Sequence, residues 1–248
     1  MSLGTANRNT SFYDAIRYAF EHNVIITAAS GNLTRASTGN DPYYYPAGYD
    51  EVIGVGAVDE SKTVASFSYQ NDSVLVTAPG KSVIGLDCQG TVPKKGSGTS
   101  FATPFVTGAA ALARSADPML TPLEFADLLA ETAEDLGEPG YDHAYGYGLL
   151  NIPRLLDTLC KNTYHKRWDG ESGSLSVSAP VPASEDGYQV LLADYDSDGR
   201  FLGMQTLTAG NDRFIRELAL PETGGQTVLM VIGQSSWTPL KTALRLEN

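Results

Sequence analysis

The sequence predicts an α/β fold built on a parallel sheet, followed by a smaller all-β module. Over the first two thirds of the 248 residues, short β-branched or apolar runs alternate with segments of helical periodicity, the pattern of strands buried between helices. From about Ser174 onward the runs shorten, alternate with polar residues and are divided by Gly, Asp, Pro and Ser, as in antiparallel sheets with tight turns. The character changes near Cys160, which gives expected domains of residues 1–159 and 160–248.

The elements follow in order. Thr10 is placed to cap a helix whose apolar face is Phe12, Ile16, Ala19 and Phe20, closed by His22-Asn23. Residues 24–29 read as a buried strand that ends at Ser30-Gly31-Asn32, and residues 51–58 and 74–77 as two more. Residues 100–113 form a helix of small and apolar residues, expected to be buried all round. Thr121-Pro122-Leu123-Glu124 opens another helix, with Thr as cap, Pro at the first helical position and Glu reaching back. Strands alternating with helices imply a sheet covered on both faces. In the second part, residues 175–178, 188–193, 201–206 and 228–232 are the expected strands.

Composition removes several classes of function. An apolar fraction of 42% with 19% charged residues is that of a folded chain. A formal charge of −12 argues against nucleic acid or an anionic membrane surface as partner, since both need clustered Lys and Arg. No window approaches the roughly 20 apolar residues that span a bilayer; the smoothest stretch, residues 101–113, is short. The two cysteines, Cys88 and Cys160, make neither a disulfide framework nor a metal cage, and their pairing state is open. The first residues show no basic start followed by an apolar stretch, so no signal peptide is visible.

Two short motifs carry the chemistry. In Ser97-Gly98-Thr99-Ser100-Phe101-Ala102-Thr103-Pro104, a serine stands at the start of a small-residue helix, where free N–H groups and the positive helix end stabilise negative charge. That suits a nucleophile, although Ser100 or Thr99 could equally be a plain helix cap. The segment falls one residue short of the G-x-S-x-G elbow of other hydrolases; that elbow follows a buried strand, whereas Pro93-Lys94-Lys95-Gly96 precedes this serine. In Ala29-Ser30-Gly31-Asn32, an amide closes a strand at the end where parallel sheets bind ligands, placed to donate to an oxyanion; alone it is an ordinary Gly-Asn turn.

In this order, with Met1-Ser2-Leu3-Gly4, Tyr45-Pro46-Ala47, Ser66-Phe67-Ser68, Ala78-Pro79-Gly80 and Tyr145-Gly146-Tyr147-Gly148-Leu149-Leu150-Asn151, these segments resemble the catalytic domain of a subtilisin-like serine protease over residues 1 to about 159. The resemblance implies a subtilisin-like parallel sheet with helices on both faces, Ser100 as nucleophile and Asn32 as oxyanion donor. It implies that Ser2, Leu3 and Gly4, with Ala29, Ser30 and Gly31, are two extended edges framing the pocket for the residue before the cut bond, with Tyr44 near its floor. It also implies a cis bond at Tyr45-Pro46 and a polypeptide substrate. Phe101 and Phe105 depart from the family's usual Met and His at noncatalytic positions.

The larger departure is that the family's Asp and His precede the oxyanion Asn by more residues than this chain holds, and none of His22, His143 and His165 stands at the family's position. The expectation is therefore a segment lacking the N-terminal part of the sheet, inert alone and prone to associate through unpaired strand edges. No cofactor is expected, with structural calcium a possibility for the full-length protein, and the location expected from the family is secreted or at the cell surface. The alternative is a degenerate, noncatalytic relative that binds peptides or a partner as a scaffold. A third option puts function in the β module, which resembles accessory domains of secreted bacterial proteins through its hairpin and Ser236-Trp237-Thr238-Pro239-Leu240.

Two decoys remain. Gly54-Val55-Gly56-Ala57-Val58-Asp59 imitates a dinucleotide-binding start, but Asp59 stands where the last Gly belongs, and a closely packed strand is the expectation. Asp194-Tyr195-Asp196-Ser197-Asp198-Gly199 matches half of a calcium loop, yet Gln205 holds the position of its bidentate carboxylate, so a hairpin with an Asp-Gly turn is expected.

Overall fold

The computed structural model describes residues 1–34, 39, 41–86, 93–162, 164–169, 174–181, 187–208, 213–218, 225–234, 236 and 239–247. Two compact units divide between Leu155 and Leu156. Cys88, Trp237 and Thr238 lie outside the described residues.

The first unit opens with helix α1 (Thr10–Glu21). Its cap is Asn9, not Thr10: the Asn9 Oδ1 accepts the Phe12 N–H at 2.9 Å, and Thr10 is already helical. Strand β1 (Thr27–Ala29) is shorter than the apolar run that contains it, because Val24 is exposed and the chain pairs only from Thr27. β2 (Ile53–Val58) and β3 (Val74–Pro79) complete a parallel sheet of order β1-β2-β3, with Thr27 opposite Ile53 and Val55 opposite Val76. Every residue of β2 is buried, and a side chain at Gly54 would meet the Ser73 carbonyl at 1.9 Å; close strand packing accounts for the glycines of the first decoy. Beyond β3, the Thr77 N–H donates to Gly148 O and the Leu150 N–H to Thr77 O, which lays residues 148–150 along the sheet. A surface ribbon follows, β4 (Val83–Leu86) antiparallel to β5 (Pro93–Gly96).

Helix α2 (Thr99–Ala116) crosses all three strands of the parallel sheet. It is not buried all round. Ala102, Val106, Ala109, Ala110 and Ala113 recur at helical spacing and face inward, while Phe101, Phe105 and Leu112 are exposed. The opposite face of β1 is covered by α1: Ala28 packs with Ile16, Ile26, Ala47, Tyr49 and Val52, whereas the neighbouring Thr27 hydroxyl meets Thr107 of α2 at 2.7 Å. Adjacent strand residues thus address helices on opposite faces, as a covered parallel sheet requires. Helix α3 (Pro122–Thr132) starts with the expected capping box, Thr121 Oγ1 accepting from Glu124 N at 3.2 Å and Glu124 Oε2 from Thr121 N at 2.7 Å.

Helix α4 (Ile152–Asn162) carries the division between the units. The second unit contains β6 (His165–Asp169), β7 (Ser174–Pro180), β8 (Tyr188–Tyr195), β9 (Phe201–Thr208), β10 (Arg213–Leu218), β11 (Gln226–Gly233) and β12 (Leu244–Glu247). They form two antiparallel sheets of order β10-β7-β6 and β12-β11-β8-β9. Leu175 and Val177 from one sheet share a buried cluster with Val190, Leu192, Leu229, Val231 and Leu246 from the other, which makes the unit a β-sandwich. The second decoy is a hairpin: β8 and β9 pair through a loop in which Asp196 Oδ1 accepts the N–H groups of Asp198 and Arg200, and Gly199 has φ of 75°. Among the described residues, no helix is long and apolar enough to cross a membrane.

Candidate active site

Ser100 stands in the first turn of α2, and three groups fix that turn. Gly98 precedes the helix with φ of 152°, a conformation side chains rarely adopt, and offers no side-chain cap. The cap comes from far along the chain: Asn32 Oδ1 accepts the Thr99 N–H at 2.9 Å and the Thr99 hydroxyl at 3.2 Å. Thr99, fully buried, in turn accepts the Gly31 N–H on its Oγ1 at 3.3 Å. Because the backbone donor must meet the amide oxygen, the orientation of Asn32 is fixed and its Nδ2 is left over; a side chain at Gly98 would lie 3.3 Å from that nitrogen.

Ser100 itself is half-buried. Its Oγ lies 3.4 Å from the Ser2 carbonyl, a long contact, and its own carbonyl accepts the Ser2 Oγ–H at 2.8 Å. Pro104 explains why that carbonyl is available. A helix carbonyl normally bonds the N–H four residues on, and at that position this chain has a proline, which has none. The two expected edges are therefore brought to one place. Ser2 is tied to Ser100, Thr5 pairs with Tyr45 in both directions at 2.8 Å, and the Ala29 N–H donates to Met1 O at 3.1 Å. Ser30 donates its N–H to Val55 O while its Oγ is buried without a partner, and the Tyr69 N–H donates to Gly31 O. Leu3 is exposed, and Tyr44 sits between Gly4 and Gly31. Tyr45-Pro46 is cis.

Within the first unit, neither His22 nor His143 joins the serine. His22 Nδ1 lies against Tyr18 O at 2.7 Å on α1, and His143 Nδ1 against Gly39 O at 3.1 Å; His165 falls in β6 of the other unit. The Pro93–Gly96 strand before the serine is an exposed ribbon, so the elbow of other hydrolases is absent here as expected. Burial, with Asp72 nearby, pushes Tyr141 up to about 12, but that ring packs with Tyr147 and His143. Among the described residues, no group of three or more His, Cys, Asp or Glu could hold a metal ion. In the β8–β9 hairpin, Asp194 Oδ1 accepts from Thr227 Oγ1 at 2.7 Å, and Asp196 Oδ1 accepts two N–H groups of its own loop.

Two contributors escaped the sequence. Thr99 looks like one of two interchangeable caps, yet it bridges Asn32 and Gly31. Pro104 carries a legible signal, its spacing of four from Ser100, whose consequence depends on Ser2 being close.

The Subtilase family (Peptidase_S8) profile matches residues 1–148. Among curated relatives, Subtilisin DY of Bacillus licheniformis is 40% identical over 152 residues, 61% of this chain and 54% of that protein. Minor extracellular protease Epr of Bacillus subtilis (strain 168) is 38% identical over 151 residues, 60% of this chain and 22% of that protein. This chain thus spans at most about half the length of either. Among solved structures, the psychrophilic subtilisin-like protease Apa1 from the Antarctic psychrotroph Pseudoalteromonas sp. AS-11 superposes with a TM-score of 0.54 at 19% identity, covering 64% of this chain and 69% of that one, a likeness of fold. With the serine and amide motifs in their expected order and that fold around them, the chain belongs to the subtilase family.

Proposed function

We propose that the protein is a serine endopeptidase in which Ser100 is the nucleophile and Asn32 the oxyanion donor. The single observation that carries this is the capture of Asn32 Oδ1 by the Thr99 N–H, which leaves the amide nitrogen at the start of the helix that holds Ser100. The Ser100 Oγ–H passes its proton to a base as the oxygen bonds the peptide carbonyl carbon, and the negative charge moves to the carbonyl oxygen. Asn32 Nδ2 and the Ser100 N–H hold that oxyanion. Collapse breaks the C–N bond, the amine leaves with the proton, and water repeats the sequence on the acyl ester to restore Ser100. Ser2, Leu3, Gly4, Ala29, Ser30 and Gly31 align the substrate backbone, and the substrate is polypeptide. The location is secreted or cell-surface, in keeping with the extracellular label of one relative.

The base is the missing part. Ser100 meets only Ser2 among described hydrogen bonds, and the rings of His22 and His143 bind elsewhere, which supports the reading that the 248-residue chain alone is inert. In subtilisin, loss of the base costs about 10⁶ in kcat and loss of the oxyanion amide about 10² to 10³; these are that enzyme's values, carried over. The test is peptide hydrolysis by the natural reading frame containing this segment, with Asp and His segments ahead of Met1, beside the Ser100→Ala variant. Turnover abolished by the substitution is expected; turnover that survives it overturns the proposal. The same observation on the base supports a second reading, a noncatalytic peptide-binding scaffold, which a reading frame without those Asp and His segments would favour.

A further inference from the structure

The gap between the two edges beside Ser100 is already filled. Tyr44 lies across it, with its hydroxyl donating to the Gly4 carbonyl at 2.7 Å. A side-chain carbon on Gly4 would fall 2.4 Å from Tyr44 Cε1 and 2.7 Å from Cδ1, so the ring presses on the bare Cα of one edge. A carbon on Gly31 would fall 3.1 Å from Tyr44 Cβ and Cγ, so the same side chain presses on the other. Tyr69 braces it from behind, its ring 5.9 Å away and edge-on, with its Cδ2 3.0 Å from that same Gly31 position. Two glycines opposite one another leave room for one ring, and Tyr44 takes it.

We propose that Tyr44 closes the pocket for the residue before the scissile bond, so that the site takes peptides with Gly, Ala or Ser there and turns away Phe, Tyr, Leu and Met. This rests on the peptidase reading above. A substrate strand laid along the edges directs that side chain into the gap, where a β-carbon fits and an aromatic ring overlaps Tyr44. Admission of the larger side chain requires Tyr44 to give up its bond to Gly4 O and its packing on Tyr69 together. Each excess methylene in a filled pocket costs roughly 10-fold or more in selectivity, so Ala is preferred to Phe by at least about 10²-fold.

The test reads the pocket without turnover. The ¹⁵N-labelled chain is titrated with an acetylated tetrapeptide ending in Ala, with its counterpart ending in Phe, and with phenol, following the Gly4 and Gly31 amide signals; Tyr44→Gly is titrated alongside. Wild-type protein is expected to respond to the Ala peptide and not to the Phe peptide or phenol, and Tyr44→Gly to all three. Binding of the Phe peptide or of phenol between these glycines in wild type overturns the closure, whether or not the variant folds. If phenol enters only Tyr44→Gly while no peptide moves either signal in either protein, the closure stands and the peptidase reading with its substrate preference falls.

Discussion

The two units spend their buried polar groups differently. In the α/β unit, Thr27, Ser30, Asp41, Ser68, Asn71, Thr77, Thr99, Thr103, Asp117 and Thr132 are all buried, and many bind backbone far away in sequence: Asn71 Nδ2 donates to Asp41 O and Pro42 O, Ser68 Oγ accepts from Ala57 N, and Thr99 Oγ1 accepts from Gly31 N. In the sandwich, buried polar side chains among the described residues are Thr227 and Lys241, and the interior is a cluster of aliphatic side chains with Tyr188, aligned by strand register. One unit is held by specific addresses and the other by volume. On the peptidase reading, a fold that places a serine, an amide and two edges needs the addresses, since hydrophobic contact has no direction.

Five substitutions at three positions break or sharpen that contrast. Leu229, fully buried in the sandwich, should cost about 2–5 kcal/mol as Leu229→Ala, whereas Leu229→Met should cost under about 1.5 kcal/mol; two-probe thermal melting, with one probe per unit, checks that volume alone matters there. Asn71→Leu keeps comparable volume in the other unit but orphans the Asp41 and Pro42 carbonyls and the Ser73 donors, and should cost about 1–3 kcal/mol for each group left dry; tolerance of this swap in a denaturant midpoint would erase the contrast. Asn32→Ala removes the cap of α2 and should cost about 0.5–2 kcal/mol, while Asn32→Asp keeps the acceptor and melts near wild type. The same pair separates roles in the natural reading frame, because Asp supplies the cap but no N–H donor, and peptide hydrolysis should fall with both.

The smallest effect is at the surface. The Lys81 ammonium, followed by the Thr63 N–H, holds the Asp59 carboxyl below its ordinary range. A carboxyl lowered on folding stabilises the fold above the unfolded value near 3.9 and loses that contribution as pH falls through the folded value. Asp59→Asn should therefore flatten the acid side of a Tm-against-pH curve and leave neutral pH almost unchanged, an exposed pair being worth little.

What the sequence displayed depended on whether a feature was local. The capping box at Thr121-Glu124 and the Asp-Gly hairpin after Tyr195 are written in neighbouring residues and stand as expected, and the strand expected over residues 51–58 is present from Ile53. The β4–β5 ribbon was hidden because its strands are short, and Pro93-Lys94-Lys95-Gly96 has no strand pattern apart from its partner. β6 and β10 lack the apolar alternation by which strands are recognised, and β12, Leu244-Arg245-Leu246-Glu247, alternates over only four residues. In α2 small residues hid a one-sided helix, since Ala at inward and outward positions alike gives no contrast. Of the site, Ser100 and Asn32 were legible as motifs; the service of Asn32 as a cap for Thr99 was not, because only the fold brings the two together.

Pro104 is usually the sort of residue a helix merely tolerates. Here the hydrogen bond it cannot make becomes a hinge pin: the vacated carbonyl of Ser100 fastens Ser2, so the loop that would lie beside a peptide is bolted to the same turn that carries the hydroxyl. On the peptidase reading, a bound chain and the attacking oxygen then share one frame, which a proline sets through what it lacks.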